Sequence, residues 1–220
     1  KGELVNPGSY DPANDIKFLE EELDQWYLRI INKGWDKFAR QVKQEQKESY
    51  KAIAKQLSGL RVTEDLAKVV IKKLRFSEDI DKWSSGEVKS LASALRAATK
   101  PMVIVANKVD VSVGKQNLER LKREFPNYTI IPCSAESELA LKEAARKGLI
   151  NYIPGGGSVK VLGDLTGQQK NAISFIEKSV IAEFGNTGVQ NAIDQVVFGL
   201  LDMITVFPGG VNKLEDKDGN

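Results

Sequence analysis

The chain has 220 residues, 41% hydrophobic and 28% charged, enough for one sizeable core or two small ones. A formal net charge of +2 and a pI near 8.5 are too mild for a polyanion partner along the whole chain, so any basic surface must be local. One cysteine, Cys133, and no histidine exclude an intrachain disulfide framework, Ser-His triads and most zinc sites, and the apolar runs fall far short of the ~20 residues of a membrane helix. The expectation is a cytoplasmic protein without a membrane partner.

Residues 1–10 read as a Gly- and Pro-containing linker. Asp11 then stands as an N-cap before Pro12 at the first helical position, with Asp15 in the first turn. Leu19, Leu23, Trp26, Ile30, Trp35, Phe38, Val42, Ile53 and Leu57 recur at spacings of three and four with drift, which predicts a long helix from about 13 to 57, broken or bent at Gly34. Trp26, Trp35 and Phe38 are assigned to the core of this arm. A second helix fits Thr63 as N-cap with Leu66, Val69, Val70 and Leu74 inward. A third fits a capping box of Ser84 and Glu87, with Val88, Leu91, Ala92 and Leu95 inward. Residues 11–98 therefore form an all-helical region of coiled-coil hairpin type. Lys33, Lys37, Arg40, Lys47, Lys51 and Lys55 lie close to one face of the long helix, a basic stripe interrupted by Gln44. One reading is a solvated face balanced by Glu45 and Glu48; the other is contact with RNA phosphates through Lys47, Lys51 and Lys55.

At Lys100-Pro101 the periodicity changes. MVIVA (102–106) and YTIIPC (128–133) are β-branched runs of the kind buried on both faces of a parallel sheet. Leu118, Leu121 and Phe125 between them fit a helix, giving strand, helix, strand. A helix from Ser134 carries Leu139, Leu141, Ala144 and Ala145 and ends at Gly148, and IPGGGS is a loop. Two more helices open on capping boxes, Thr166 with Gln169 and Thr187 with Gln190, and run to about Phe184 and Met203. ITVFP reads as a strand, and the Asp218-Gly219 hairpin signal has no returning strand behind it; without an initiator Met, both ends are expected to be cut. Cys133 reads as a small apolar residue at a strand end.

Ligands of open α/β sheets bind beyond the carboxyl ends of strands, where this chain places NKVD (107–110) and CSAES (133–137). A guanine edge offers N1–H and the 2-amino group as adjacent donors, and the acceptor-only carboxylate of Asp110 can take both. Adenine lacks the 2-amino group and would leave a buried carboxylate unpaired, at roughly 1–3 kcal/mol per unsatisfied group. Lys108 can lay its stem along a base face, and Asn107 can fix the loop or meet the imidazole side of the base. The Ala135 N–H, after Ser134 at a helix start, can donate to O6. The competing reading is a polar loop in which Asp110 caps the following helix.

KPMVIVANKVD, IPCSAESELALKEAARKGLINYIPG, FGNTGVQNAI and VFPGGVNKLEDKDGN resemble the archaeal and eukaryotic YchF-like branch of the Obg-related GTPases, most strongly from Lys100 onward. The resemblance implies an α/β fold, the C-terminal half of a P-loop GTPase domain with an inserted all-helical coiled-coil arm. It assigns 11–98 to the arm, 99–204 to the base-recognition half and 205–220 to the start of a TGS domain. It carries the guanine motif onto Asn107, Lys108 and Asp110, and the second base loop onto Ser134, Ala135 and Glu136; Glu136 replaces the family's usual Lys. ATP-preferring relatives replace the Lys and Asp that this chain retains, so GTP is the expected nucleotide. No Gly-x4-Gly-Lys-Ser/Thr string occurs in the chain, and GGGS at 155–158 lacks the following Lys. The resemblance puts the phosphate and Mg2+ ligands upstream, leaves the catalytic residue unknown, and implies a monomeric switch associated with the ribosome or its RNA. The alternative is a non-enzymatic helical RNA- or ribosome-binding module that takes no nucleotide.

Overall fold

The computed structural model describes residues 8–207, which divide into one compact unit ending at Met102 and another beginning at Val103. The first unit contains α1 (Ala13–Asn32), α2 (Trp35–Gln44), α3 (Ser49–Gln56), α4 (Glu64–Leu74) and α5 (Ser85–Thr99). Asp11 Oδ1 accepts the Ala13 N–H at 2.9 Å while Pro12 holds helical angles, so the Asp-Pro start works as its chemistry requires. The helical stretch expected over 13–57 is interrupted twice, once at Gly34 as expected and once where no break is expected. Gly34 ends it with φ +82°, and a second break follows at Gln46 with φ +49°. There the Lys47 N–H reaches the Val42 carbonyl (3.1 Å) and the Gln46 N–H the Lys43 carbonyl (3.1 Å), a Schellman closure built without glycine.

The core of this unit gathers Tyr27, Ile31, Val42, Ile53, Val70, Ile80, Leu91 and Leu95. Each large aliphatic side chain so buried contributes about 1.5–3 kcal/mol. Trp35 stacks on Trp83 with centroids 5.9 Å apart, and Phe38 lies 5.7 Å from Trp35. Trp26 differs from its core assignment: it remains 39% exposed, edge-on to the buried Tyr27. Leu19 and Val69, expected inward, are also exposed, and Ala67 takes the buried position on α4. Thr63 caps α4, and Ser84 with Glu87 closes the capping box of α5 as expected.

In the second unit β1 (Val103–Ala106) pairs in parallel with β2 (Thr129–Pro132), Val103 opposite Thr129 and Ala106 opposite Pro132, with α6 (Ser112–Glu124) between them in sequence. Among the described residues this sheet has two strands, and Val105 is 44% exposed, so the expected burial on both faces is not met. The next helix, α7 (Ala135–Arg146), starts after Ser134, whose Oγ accepts the Ser137 N–H, and the chain turns at Gly148 with φ +69°. Leu139 points outward while Leu141 is fully buried. Flanking the IPGGGS loop, β3 (Ile150–Asn151) and β4 (Lys160–Val161) form a short antiparallel pair that the sequence pattern does not announce.

Helix α8 (Gly167–Ile176) opens on the predicted Thr166–Gln169 capping box and continues through a π-helical stretch (Glu177–Ile181) into α9 (Ala182–Phe184). A second apolar core joins Leu141, Ile150, Ile173, Ile176 and Val180. The Thr187–Gln190 capping box is not formed: α10 (Val189–Asp194) follows Gly188 without a side-chain cap and passes into a π-helical stretch, Gln195–Leu200. Residues 204–207 carry no regular structure where a strand is expected, and the rest of the segment assigned to a TGS start lies outside the described residues. No helix among the described residues is long and apolar enough to cross a membrane.

Candidate base-recognition site

The carboxyl ends of β1 and β2 bring the loops at 107–110 and 134–136 together. Beyond the paired strands, the Cys133 N–H donates to the Ala106 carbonyl (2.9 Å) and the Val109 N–H to the Cys133 carbonyl (3.2 Å), so Val109 is buried and anchors its loop. Asn107 performs the bridging. Its Oδ1 accepts the Lys108 N–H at 2.9 Å and the Ala135 N–H at 3.1 Å, tying the two loops through one side chain. Lys108 is exposed and left-handed at φ +68°, a conformation costing roughly 1–2 kcal/mol for a side chain with a Cβ.

Asp110 is partly exposed, and its carboxylate takes no hydrogen bond from any described residue. Helix α6 has no side-chain cap either, since Val111 occupies its N-cap position. The capping alternative for Asp110 therefore has no support in the geometry. Ser134 is fully buried, Ala135 and Glu136 are exposed at the start of α7. The Ala135 N–H, expected to meet a base O6, is engaged by Asn107.

Two glycines let backbone approach this site closely. A Cβ on Gly114 in α6 would lie 2.0 Å from the Lys108 carbonyl oxygen. One on Gly188, at φ +83°, would lie 1.9 Å from the Pro132 carbonyl oxygen. Behind the second loop sits a buried carboxylate: Glu138 accepts from the Tyr152 and Thr187 hydroxyls, both at 2.6 Å, on one oxygen. Burial, then the Glu138 hydrogen bond, pushes the Tyr152 hydroxyl up to about 12. Burial, followed by the charges of Glu138 and Asp110, raises the Cys133 thiol above its ordinary range, in keeping with an inert apolar role. Sequence reasoning missed Glu138, Tyr152 and Thr187. Glu138 passes as an ordinary acidic residue of a helix's first turn, and Thr187 as a cap.

The basic stripe is redistributed by the breaks at Gly34 and Gln46. Lys37 and Arg40 stand on α2, while Lys47, Lys51 and Lys55 line one open groove with Thr63 and Glu64 in the first unit. Lys47 pairs with Glu45 and Lys51 with Glu48, the carboxylates named in the solvated-face reading.

Comparison with known proteins puts the chain beside GTP-binding proteins. Residues 105–210, which contain both loops and the Thr187 turn, match the family described as Obg-like GTPase YGR210-like, G4 motif-containing domain. An uncharacterized GTP-binding protein of Methanocaldococcus jannaschii is 43% identical over 213 residues, 96% of this chain and 53% of that protein. An uncharacterized GTP-binding protein of Schizosaccharomyces pombe is 26% identical over 207 residues, 90% of this chain and 50% of its own length. The crystal structure of a GTP binding protein from Pyrococcus horikoshii OT3 matches 89% of this chain and 52% of that one, with 41% identity and a TM-score of 0.69. The chain thus spans about half the length of the curated relatives it matches.

Proposed function

We propose that this chain is the base-recognition half of a P-loop GTPase of the Obg-related, YchF-like type, with 11–98 as its inserted arm, 99–204 as the base-reading half and 205–220 as the start of a TGS domain. The observation that carries the reading is the Asn107 bridge between the two loops, set beside an Asp110 carboxylate that no described group engages. Asp110 takes guanine N1–H and the 2-amino group, and the exposed Lys108 stem covers the base face. The Ala135 N–H serves O6 by sharing or exchanging its bond to Asn107. Glu136, exposed at the same helix start, stands at the rim of this site.

The described residues contain no cluster of three or more acidic, cysteine or histidine side chains that could hold a metal ion by themselves. The complete protein would hydrolyse GTP with phosphate and Mg2+ ligands from outside this chain. Asp110→Asn in that full-length protein tests the assignment, because it exchanges an acceptor for a donor. GTP binding should weaken by about ten- to a hundredfold, corresponding to roughly 1–3 kcal/mol, while xanthine nucleotide gains. An unaltered order of GTP, XTP and ATP affinities would remove Asp110 from this role and favour the module that takes no nucleotide.

The proposed setting is a ribosome-associated switch, with Lys47, Lys51 and Lys55 meeting RNA phosphates from their shared groove. Charge reversal at all three should reduce ribosome cosedimentation and flatten its salt dependence. Cosedimentation that keeps its original salt slope would return these lysines to the solvated-face reading.

A further inference from the structure

The buried network behind the second loop does more than fill space. Thr187 grips the first turn of α7 at two points. Its carbonyl accepts the Ser134 N–H at 2.8 Å, and its hydroxyl donates to Glu138 at 2.6 Å. Ser134, Glu138 and Thr187 are all buried, and the Ser134 hydroxyl is itself committed to Ser137 Oγ at 2.7 Å. The turn that carries Thr187 is shaped by Asn186, whose Oδ1 accepts the Gly188 N–H at 2.8 Å. Gly188 then lies against the Pro132 carbonyl, with no space for a Cβ between them.

These contacts form a continuous series. Asn107 holds the Ala135 N–H, Ser134 precedes it in the chain, Thr187 holds Ser134, and Glu138 one turn along α7 holds Thr187. A buried carboxylate receiving two hydroxyls is costly unless both bonds form, so the arrangement favours one position of the turn against the helix start. Ala135 and Glu136 are exposed, so their own side chains do not fix this stretch by apolar packing.

We infer that the Asn186–Gly188 turn is a latch for the base-reading loop: Thr187 and Glu138 are positioning residues that set the Ala135 N–H for the base. Tyr152, on the same carboxylate oxygen, orients Glu138 and makes no hydrogen bond to residues 134–136. This inference rests on the base-site reading. In a GTPase assembled this way, α10, which begins at the residue after Gly188, reaches the base loop through a single turn.

The test uses the full-length protein and measures GDP affinity alongside that for a guanosine analogue lacking O6, with thermal unfolding on each variant. Thr187→Val keeps the shape and removes the hydroxyl. It should weaken GDP about tenfold while changing the O6-lacking analogue little, and Thr187→Ser should restore GDP binding. Tyr152→Phe removes the other hydroxyl from the same carboxylate and should lower thermal stability with less than a threefold change in GDP affinity. Equal losses for GDP and the analogue, equal losses in the Val and Phe variants, or no recovery with Ser would each overturn the latch. If Asp110→Asn alters base preference but Thr187→Val does not, the latch falls and the base site stands; if neither variant alters it, both fall. Should Thr187→Val fail to fold, Glu138→Leu and Glu138→Gln give the same comparison, since a Gln carbonyl can still accept both hydroxyls and should retain GDP binding.

Discussion

The two units of this chain are stabilised by different means. The helical unit buries aliphatic and aromatic side chains on one core, and Arg96 is its only buried polar residue among those described. Several of its ion pairs, Lys47–Glu45, Lys51–Glu48 and Lys82–Asp79, are exposed and close in sequence, the kind that contribute little, while Lys43–Asp81 and the buried Arg96, which meets Asp24 at 2.6 Å, tie elements distant in sequence. The α/β unit holds the other four buried polar residues described, Ser134, Ser137, Glu138 and Thr187, and all four lie at or behind the loop at 134–136. Buried polar groups cost free energy unless paired, and these are paired with one another or with adjacent backbone. Apolar burial tolerates repacking, whereas a hydrogen-bonded cluster favours one geometry. The first unit is built for shape, the second for the placement of a few atoms.

The largest expected effect lies in the helical unit. Leu91 is fully buried on α5 amid the first core, so Leu91→Ala should destabilise it by about 3–5 kcal/mol, the upper part of the range for Leu→Ala. Urea unfolding followed by tryptophan fluorescence reports this unit, since Trp26, Trp35 and Trp83 all lie in it. The order of GTP, XTP and ATP affinities in the full-length protein should not move. A variant whose base preference shifts in step with its stability would break this division of roles between the two units.

Chemistry concentrated in short local patterns was legible in the sequence. The Asp11-Pro12 start, the Ser84–Glu87 and Thr166–Gln169 capping boxes and the β1–α6–β2 unit each depend on residues a few positions apart. The breaks were legible only where glycine marked them. Gly34 announced its turn, but Gln46 adopts a left-handed conformation that its side chain disfavours, and a helical spacing running through it gives no warning. The polar loop after β1 was legible as a candidate site because carboxylate and amide chemistry is local to 107–110. Its support was not: Glu138, Tyr152 and Thr187 meet across 49 residues of chain, and a threonine before a glycine and a helix reads as a cap unless its fold partner is known. The exposure of Val105 was equally hidden, since a β-branched run states what a strand can bury and not which neighbours cover it.

A smaller perturbation sharpens the same contrast from the other side. Gly114 sits in the first turn of α6 where a Cβ would lie 2.0 Å from the Lys108 carbonyl oxygen, a backbone atom that cannot swing aside as a side-chain end would. Helix propensity alone would favour alanine over glycine by about 1 kcal/mol. The overlap opposes this, and overpacking of this kind costs about 1–3 kcal/mol, so the net change in stability for Gly114→Ala should be about 2 kcal/mol or less, below that of Leu91→Ala. The consequence for binding should be the reverse. Relief of the clash must move Lys108, already left-handed, and with it the ring of contacts through Asn107 to Ala135. Gly114→Ala in the full-length protein should therefore weaken GDP at least tenfold while leaving tryptophan-monitored unfolding of the helical unit unchanged. Full retention of GDP affinity would show that the loop absorbs the added methyl without displacing the contacts of Asn107 and Ala135, and the α/β unit would then be less exacting in its atomic placement than its buried hydrogen bonds indicate.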